Sequence, residues 1–195
     1  MEYGSAAPRE LLQLRAVIPC WLEDQTNGLT MRFRWLLKGL WEDLLGLDKR
    51  RKELDAEIAL IAEMDPVAKR LQQLRGVGPI IATAMVASVG NATQFGNRRQ
   101  MAVALGLTPR QNSSGGKERL LGISKRGDAY LRMLLIHGAR SMIRTAGSKT
   151  DRLSQWVMRI ANTRHQNIAA VALANKTARI AWAMITKGSA YQHNG

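Results

Sequence analysis

A polar stretch in the middle of the chain carries side chains that could react with a phosphodiester. Two adjacent serines, Ser113 and Ser114, precede Gly115 within a cationic segment, residues 109–132. Its cations are Arg110, Lys117, Arg119, Lys125, Arg126 and Arg132. A serine hydroxyl becomes a good nucleophile when a base or a metal activates it, and cations stabilise a phosphate under attack. The stretch therefore suits a nucleic-acid backbone, although serine and glycine are also common in ordinary loops.

The positive charge of the chain is concentrated towards one end. The formal net charge of the 195 residues is +14. Residues 1–66 contain nine Lys/Arg and twelve Asp/Glu, whereas residues 67–195 contain twenty and three, a local net charge of +17. This asymmetry is more typical of a nucleic-acid-binding surface than of a merely soluble basic domain. Three scattered carboxylates cannot hold the metal ions of a two-metal nuclease, so we expect no metal site here.

The remaining composition excludes several other classes of protein. Cys20 is the single cysteine, so no internal disulfide can form and a cytoplasmic setting is expected. The three histidines are too far apart in sequence for a zinc pattern. The apolar runs are shorter than the ~20 residues of a membrane span, so we expect no membrane partner.

A glycine-containing turn is a second element that could contact a phosphate backbone. Residues 67–74 and 80–89 predict two short helices, and Gly76 and Gly78 lie in the tight turn between them. Free N–H groups at the start of the second helix can hold a phosphate oxygen. The pattern resembles a helix-hairpin-helix element, although such turns also occur in proteins that bind nothing. Farther along, Arg98 and Arg99 predict an exposed basic helix start.

A long periodic helix precedes these elements. Between residues 30 and 65, apolar side chains alternate at steps of four and three, which is a heptad pattern broken once at Arg51. The positions are Phe33, Leu37, Leu40, Leu44, Leu47, Leu54, Ile58 and Ile61. The pattern predicts either a helix packed against its own domain or a coiled coil that dimerises the protein.

The sequence therefore predicts an all-α fold. We expect a coiled-coil-like helical arm followed by a small helical bundle that contains the helix-hairpin-helix element. The predicted divisions are an N-terminal segment (1–29), a linker helix (30–65), a DNA-binding, serine-bearing domain (66–187) and a disordered tail (188–195). Two further helices are predicted over residues 151–163 and 166–186, and the alanine-rich second one fits close packing within such a bundle.

Two sequence runs carry a family resemblance, LRGVGPIIATAMVASVG and LTPRQNSSGGKERLLGISKRGDAYLR. They resemble the C-terminal domain of DEDD-type insertion-sequence transposases, the serine-dependent, bridge-RNA-guided recombinases of insertion-sequence family one-ten and its relatives. The resemblance covers residues 29–186. It implies that a serine before a glycine attacks a DNA phosphate and becomes covalently attached to it. That serine maps to Ser114, with Ser113 as the alternative.

The resemblance also implies partners and a cofactor. Such proteins carry an N-terminal RuvC-like nuclease domain whose four acidic residues bind Mg²⁺, and no such domain precedes the linker in this sequence. We therefore expect no cofactor in this chain, little activity of the chain alone, and a RuvC-like domain acting in trans.

The other expected partners are DNA, a guide (bridge) RNA and a second copy bound through the heptad helix, in the bacterial cytoplasm and on the nucleoid when DNA is bound. The alternative is a truncated, non-catalytic regulator that binds DNA or dimerises. The expected DNA-binding residues are Gly76, Gly78, Arg98, Arg99, Arg110, Lys117, Arg119, Lys125, Arg126 and Arg132.

Overall fold

A computed structural model describes residues 10–111 and 120–191, without the side chain of Leu120. Within these ranges the chain forms eight helices and one short β-hairpin. The elements are α1 Leu11–Glu23, α2 Met31–Met64, α3 Pro66–Leu71, α4 Pro79–Val89, α5 Arg98–Ala104, β1 Pro109–Gln111, β2 Leu120–Ile123, α6 Ala129–Ala146, α7 Arg152–Thr163 and α8 Gln166–Lys187. The predicted all-α class is confirmed, and the two short strands are an addition to it.

The chain divides into two compact units, Met1–Ala56 and Glu57–Gly195. Most of α2 belongs to the first unit and its last turns belong to the second. The second unit contains the bundle, the β-hairpin and all of the predicted DNA-binding residues that the structure describes.

Two arginines tie α1 to α2 in the first unit. The Nη1 atom of Arg34 donates to the carbonyl oxygens of Trp21 and Leu22 at 2.7 and 2.8 Å, which satisfies the end of α1. Arg15 pairs with Asp48 at 2.8 Å. Because residue 15 contacts residue 48 while residue 22 contacts residue 34, the two helices run antiparallel.

The long helix predicted from the heptad pattern is confirmed as the single 34-residue helix α2. Its heptad positions differ in exposure within the first unit. Leu37 and Leu44 are half-buried, whereas Leu40 and Leu47 are 68% and 66% exposed. An exposed apolar stripe therefore runs along the part of α2 that ends at Ala56, and the coiled coil stays a prediction.

The core of the second unit is built around α8, which packs against α5, α6 and α7. Its buried face includes, beside Leu173 and Met184, a row of small side chains that let these helices approach closely. The row consists of Ala169, Ala170, Ala174, Ala178 and Ala181. By length and composition α8 could cross a membrane, but a core helix passes the same test and its buried residues form the bundle core.

The turn between α3 and α4 crosses α6 with the two backbones in contact. Gly76 has a φ of +81°, and a Cβ atom placed on it would lie 2.5 Å from the carbonyl oxygen of Gly138. A Cβ atom on Gly138 would in turn lie 2.0 Å from the oxygen of Gly76. Side chains at these two positions would force the turn and the helix apart.

A partly buried polar cluster holds the same turn against the start of α7. The guanidinium of Arg75 donates to the carboxylate of Asp151 and to the hydroxyl of Ser154. Asp151 caps α7 by accepting from the Ser154 N–H at 3.0 Å. Burial acts to raise the pKa of Asp151, but the hydrogen bonds from Ser154 and the charge of Arg75 outweigh it, so this pKa lies below its usual value.

Gly76→Ala should destabilise the second unit by about 2–4 kcal/mol, because it combines a left-handed backbone with a backbone collision. Gly78→Ala is the matched control, since Gly78 has an ordinary φ of −93° and a Cβ atom added there would have nothing within 4 Å of it. Urea unfolding of both variants measures the difference. Equal effects would contradict the crossing at Gly76.

Asp151→Asn keeps a capping side chain but removes the charge that faces Arg75, so we expect a loss of about 1–2 kcal/mol at pH 7. A lowered carboxyl pKa stabilises the fold above the unfolded-state pKa, and that contribution is lost as pH falls through the folded-state value. The difference between wild type and variant should therefore shrink below about pH 4.

The control for this pH series is Asp128→Asn. Asp128 caps α6 in the same way, accepting from the Leu131 N–H at 2.9 Å, but it makes no ion pair with any described residue. Its substitution should change the free energy of unfolding by less than about 0.5 kcal/mol. A difference between wild type and Asp151→Asn that stays constant from pH 7 to pH 3 would contradict the assigned role of the charge.

Candidate functional site

The predicted serine segment lies in sequence between the two strands of a β-hairpin. Strands β1 and β2 pair antiparallel, with Pro109 opposite Ile123, and the Ser124 N–H donates to the Thr108 carbonyl oxygen at 2.9 Å. Residues 112–119 lie outside the described part of the chain. These include four of the predicted site residues, Ser113, Ser114, Lys117 and Arg119. The structure therefore defines where this segment leaves and rejoins the domain.

The turn that follows β2 is locked against the end of α5. A Cβ atom on Gly127 would lie 1.7 Å from the carbonyl oxygen of Ala104, and one on Gly106 would lie 2.1 Å from that of Arg126. Both glycines have positive φ values, +83° and +65°. The N–H of Lys125 also donates to the Gly106 carbonyl at 3.2 Å. The base of the hairpin is thus fixed by backbone contacts.

Arg132 reinforces this lock from α6. Its Nη1 atom donates to the carbonyl oxygens of Leu105 and Arg126 at 3.1 and 3.3 Å. The sequence predicts Arg132 as a DNA-binding residue. The structure gives its guanidinium a contact inside the protein, and the contact to DNA stays a prediction.

The other described cations of the predicted set are exposed. Arg98 and Arg99 begin α5, where the Asn97 side chain accepts from the Arg99 N–H at 3.0 Å. The positive end of the helix dipole destabilises a cation at a helix N-terminus by about 0.3–1 kcal/mol. A bound anion would offset this repulsion. Arg110, Lys125 and Arg126 are exposed on the hairpin side. Within the described ranges, none of these five cations forms an ion pair.

The two predicted glycines of the α3–α4 turn have different surroundings. Gly76 is required by its contact with α6, whereas Gly78 is exposed and precedes Pro79 at the start of α4. Two short helices joined by a turn are present as predicted, but α3 ends at Leu71, three residues before the predicted end. Their interpretation as a DNA-binding helix-hairpin-helix, with the first N–H groups of α4 holding a phosphate, stays a prediction.

A groove of about 1220 Å³ lies between the β-hairpin and α8. Its cationic lining residues are Arg98, Arg110, Lys125, Lys176 and Arg179, and its apolar ones include Leu121, Trp156, Ile168, Val171 and Ile180. We call this set the hairpin groove. None of the described residues that line it is an aspartate or a glutamate. Three of its cations belong to the predicted site, and the structure brings them together.

Sequence reasoning missed the α8 side of the hairpin groove. Lys176 and Arg179 lie three residues apart, on the face of α8 that does not enter the core. The signal that could have found them is this cationic pair opposite the alanine row of the same helix. The Lys176 ammonium lies 4.2 Å from the centre of the Trp156 ring, which is a cation–π contact. Burial, followed by the positive charges of Arg152 and Arg179, lowers the pKa of Lys176.

The described residues do not fit a divalent metal. No group of three or more His, Cys, Asp or Glu side chains comes together among them. Mg²⁺ prefers carboxylate oxygens, and the surface around the hairpin groove instead presents ammonium and guanidinium groups. No step of the chemistry is therefore assigned to a metal held by these residues.

Comparison with protein families gives a match to residues 68–155. The matched family model is described as Transposase IS116/IS110/IS902 family. The match begins in α3 and ends in α7, and so includes the β-hairpin and the segment between its strands.

Curated relatives match most of this chain. It is similar to the "Transposase for insertion sequence element IS1111A" of Coxiella burnetii, with 41% identity over 98% of this chain and 52% of the relative. The "Probable family 20 transposase" of Pseudomonas aeruginosa is 47% identical over 80% of this chain and 46% of the relative. The "Transposase for insertion sequence element IS1328" of Yersinia enterocolitica is 34% identical over 98% of this chain and 56% of the relative. The chain thus spans about half the length of these relatives.

Arg132→Ala should lower the free energy of unfolding by about 1–3 kcal/mol, because two carbonyl oxygens at the hairpin base lose a charged donor. Arg126→Ala is the matched control, since the Arg126 side chain is exposed and makes no hydrogen bond or ion pair with described residues. It should change stability by less than about 0.5 kcal/mol. Thermal and urea unfolding test both. If Arg132→Ala leaves the free energy of unfolding unchanged, the guanidinium has no structural role at the hairpin base.

Proposed function

Since this chain carries a domain of the Transposase IS116/IS110/IS902 family, we propose that it is the DNA-binding part of an insertion-sequence transposase. In this proposal it supplies the serine nucleophile for the strand cleavage and exchange that move the element. Ser114 is the assigned nucleophile and Ser113 the alternative. Because the chain spans about half the length of its relatives, the whole reaction is proposed to involve a further domain as well.

The observation that carries the proposal is the set of exposed cations around the hairpin base. Arg110 lies in β1, next to the strand end from which residue 112 continues, whereas Lys125 follows β2 at the base of the hairpin. Arg98 of α5 lines the hairpin groove together with them. None of the three is neutralised by a described carboxylate. A phosphodiester entering this surface would meet positive charge from several directions, as phosphoryl transfer requires.

The proposed chemical step is a displacement at phosphorus. The Oγ atom of Ser114 loses its proton and forms a bond to the phosphorus of DNA, the bond from phosphorus to a sugar oxygen breaks, and that oxygen takes up a proton and leaves as a sugar hydroxyl. The strand is thereby cut while its phosphate stays attached to the protein, which conserves the bond energy for rejoining. Arg110 and Lys125 would stabilise the non-bridging oxygens during this displacement.

The proton of the serine and the metal chemistry are assigned to another domain. The described residues lining the hairpin groove include no His, Asp or Glu that could act as a general base. We therefore propose that a RuvC-like domain acts in trans on the same phosphate and holds the Mg²⁺ that this family resemblance implies. The expected setting is the bacterial cytoplasm, on the nucleoid when DNA is bound.

A second copy of the chain and a guide RNA complete the proposed assembly. The exposed stripe on α2, with Leu40 and Leu47, supports pairing with another apolar helix. The same stripe favours the second candidate function, a regulator that binds DNA or forms mixed dimers and cuts nothing. The two candidates differ in whether Ser114 is needed.

The decisive experiment is covalent trapping on a labelled DNA substrate, with the nuclease half of a relative added to this chain. Wild type should give a protein–DNA adduct, and Ser114→Ala should give none. Ser113→Ala is the matched control, because it removes a neighbouring hydroxyl from the same segment and should retain the adduct. If the adduct is lost only in Ser113→Ala, the nucleophile is Ser113. If both variants form the adduct as wild type does, neither serine is the nucleophile.

A further inference from the structure

We propose that the hairpin groove binds a short stretch of single-stranded DNA. In this arrangement the phosphates lie on the cationic rim and the bases lie against the apolar floor. The inference rests on the proposed function and extends it with a site that is formed in large part by α8. Lys176, Arg179 and Trp156 belong to it, and none of them is among the DNA-binding residues expected from the sequence.

The charge of the groove identifies a polyanion as its occupant. Five cations from α5, the β-hairpin and α8 line one concave surface without a carboxylate among its described residues. Lys176 of α8 is close enough to Arg152 of α7 and Arg179 of α8 for both positive charges to disfavour its own. Like charges gathered in a cleft create a strong positive potential, which a phosphate backbone relieves.

The floor of the groove favours unpaired bases over a duplex. Ile168 is 53% exposed and Leu121 is 39% exposed, and both face the same cavity as Val171 and Ile180. A duplex presents its phosphates outward and hides the faces of its bases. A single strand presents both, and proteins that bind single strands combine a cationic groove with apolar or aromatic surface.

The volume of the groove favours a polymer over a small ligand. At about 1220 Å³ it exceeds the ~300–1,000 Å³ of ordinary small-molecule sites. A mononucleotide would leave several of the five rim cations without an anion, whereas consecutive phosphates of one strand can reach them in turn.

The position of the groove connects it with strand cleavage. Arg110 of β1 and Ile123 of β2 form part of its wall, and these two strands flank the segment that contains Ser114. A strand held in the groove would therefore lie at the base of the serine-bearing hairpin. Binding unpaired nucleotides there would present the adjoining phosphodiester to the hairpin in an extended form.

The test is fluorescence anisotropy with the full chain and a labelled 12-nucleotide DNA strand, offered alone, as a duplex, and as RNA of the same sequence. We expect the single DNA strand to bind at least about tenfold more tightly than the duplex, since only unpaired bases can contact the apolar floor. Titration should also quench tryptophan fluorescence, and Trp156→Phe should remove most of that quenching.

Two matched pairs of variants locate the site. Arg179→Glu should weaken single-strand binding by at least about tenfold, and Arg179→Ala should reduce the log–log salt slope by about 0.7 for each lost phosphate contact. Arg159→Glu makes the same charge change at an exposed position outside the groove and should have less than about a twofold effect. Ile168→Ser should weaken binding, whereas Val103→Ser, at an exposed apolar position of α5 outside the groove, should not.

Each contrary result overturns a defined part of the proposal. If Arg179→Glu and Arg159→Glu weaken single-strand binding equally, DNA is attracted by the overall positive charge of the protein and the groove is not a binding site. Duplex binding as tight as single-strand binding, with Ile168→Ser neutral, would exclude base contacts. If RNA binds more tightly than DNA, the occupant of the groove is RNA and the proposal of a DNA strand is wrong. If all three nucleic acids bind weakly, the proposal is also wrong, and an acidic protein segment becomes the candidate partner.

Ser114→Ala separates this inference from the proposed function. It should bind the single strand as wild type does, because it changes none of the described residues that line the groove and removes no charge. If the groove variants bind normally while the Ser114-dependent adduct forms, the inference alone fails. If the groove binds single strands and no adduct forms, the proposed function alone fails.

Discussion

The close crossing of two backbone segments determines the geometry of the functional surface. Gly106 lies against the carbonyl of Arg126, and Gly127 lies against the carbonyl of Ala104, so the end of α5 and the turn before α6 touch without side chains between them. Arg132 then bonds to carbonyl oxygens on both segments. Since β1 starts just after one segment and β2 ends just before the other, their crossing fixes the base of the hairpin.

Helix α8 serves the fold and the surface with opposite faces. Its alanine row lies in the core against the neighbouring helices, while Lys176 and Arg179 line the hairpin groove. The Asn175 side chain donates to the carbonyl of Leu107 at 3.1 Å, which ties α8 to the chain just before β1. Packing that stabilises the bundle thus also sets the distance between the two cationic walls.

Local signals made much of the helical framework predictable. The heptad pattern predicted α2, and Asp65, Asn97, Asp128 and Asp151 each cap the helix that follows them by accepting from its first N–H groups. The β-hairpin was not predicted, because strands of three and four residues have too little pattern of their own and depend on pairing with each other. The sequence suggested a polar loop there.

The site was predictable only where its residues belong to a visibly basic run of the sequence. Arg110, Lys125 and the two serines stand out in the sequence as one cationic stretch, whereas Arg179 is brought to Arg110 and Lys125 by the fold. The bonds of Arg132 likewise depend on two segments that meet only in the folded domain. Periodicity and composition carry no information about such meetings, because each requires a specific long-range contact.

The ties between distant parts of the second unit have a consequence for its biosynthesis. The Trp182 indole donates to the carbonyl of Phe95, and the N–H of Tyr191 donates to Gln73, a separation of 118 residues. Helices α3, α4 and α5 therefore emerge from the ribosome well before the helix that closes their core. During that interval their apolar faces are open to chaperones, and this domain can complete its folding only after α8 has left the exit tunnel.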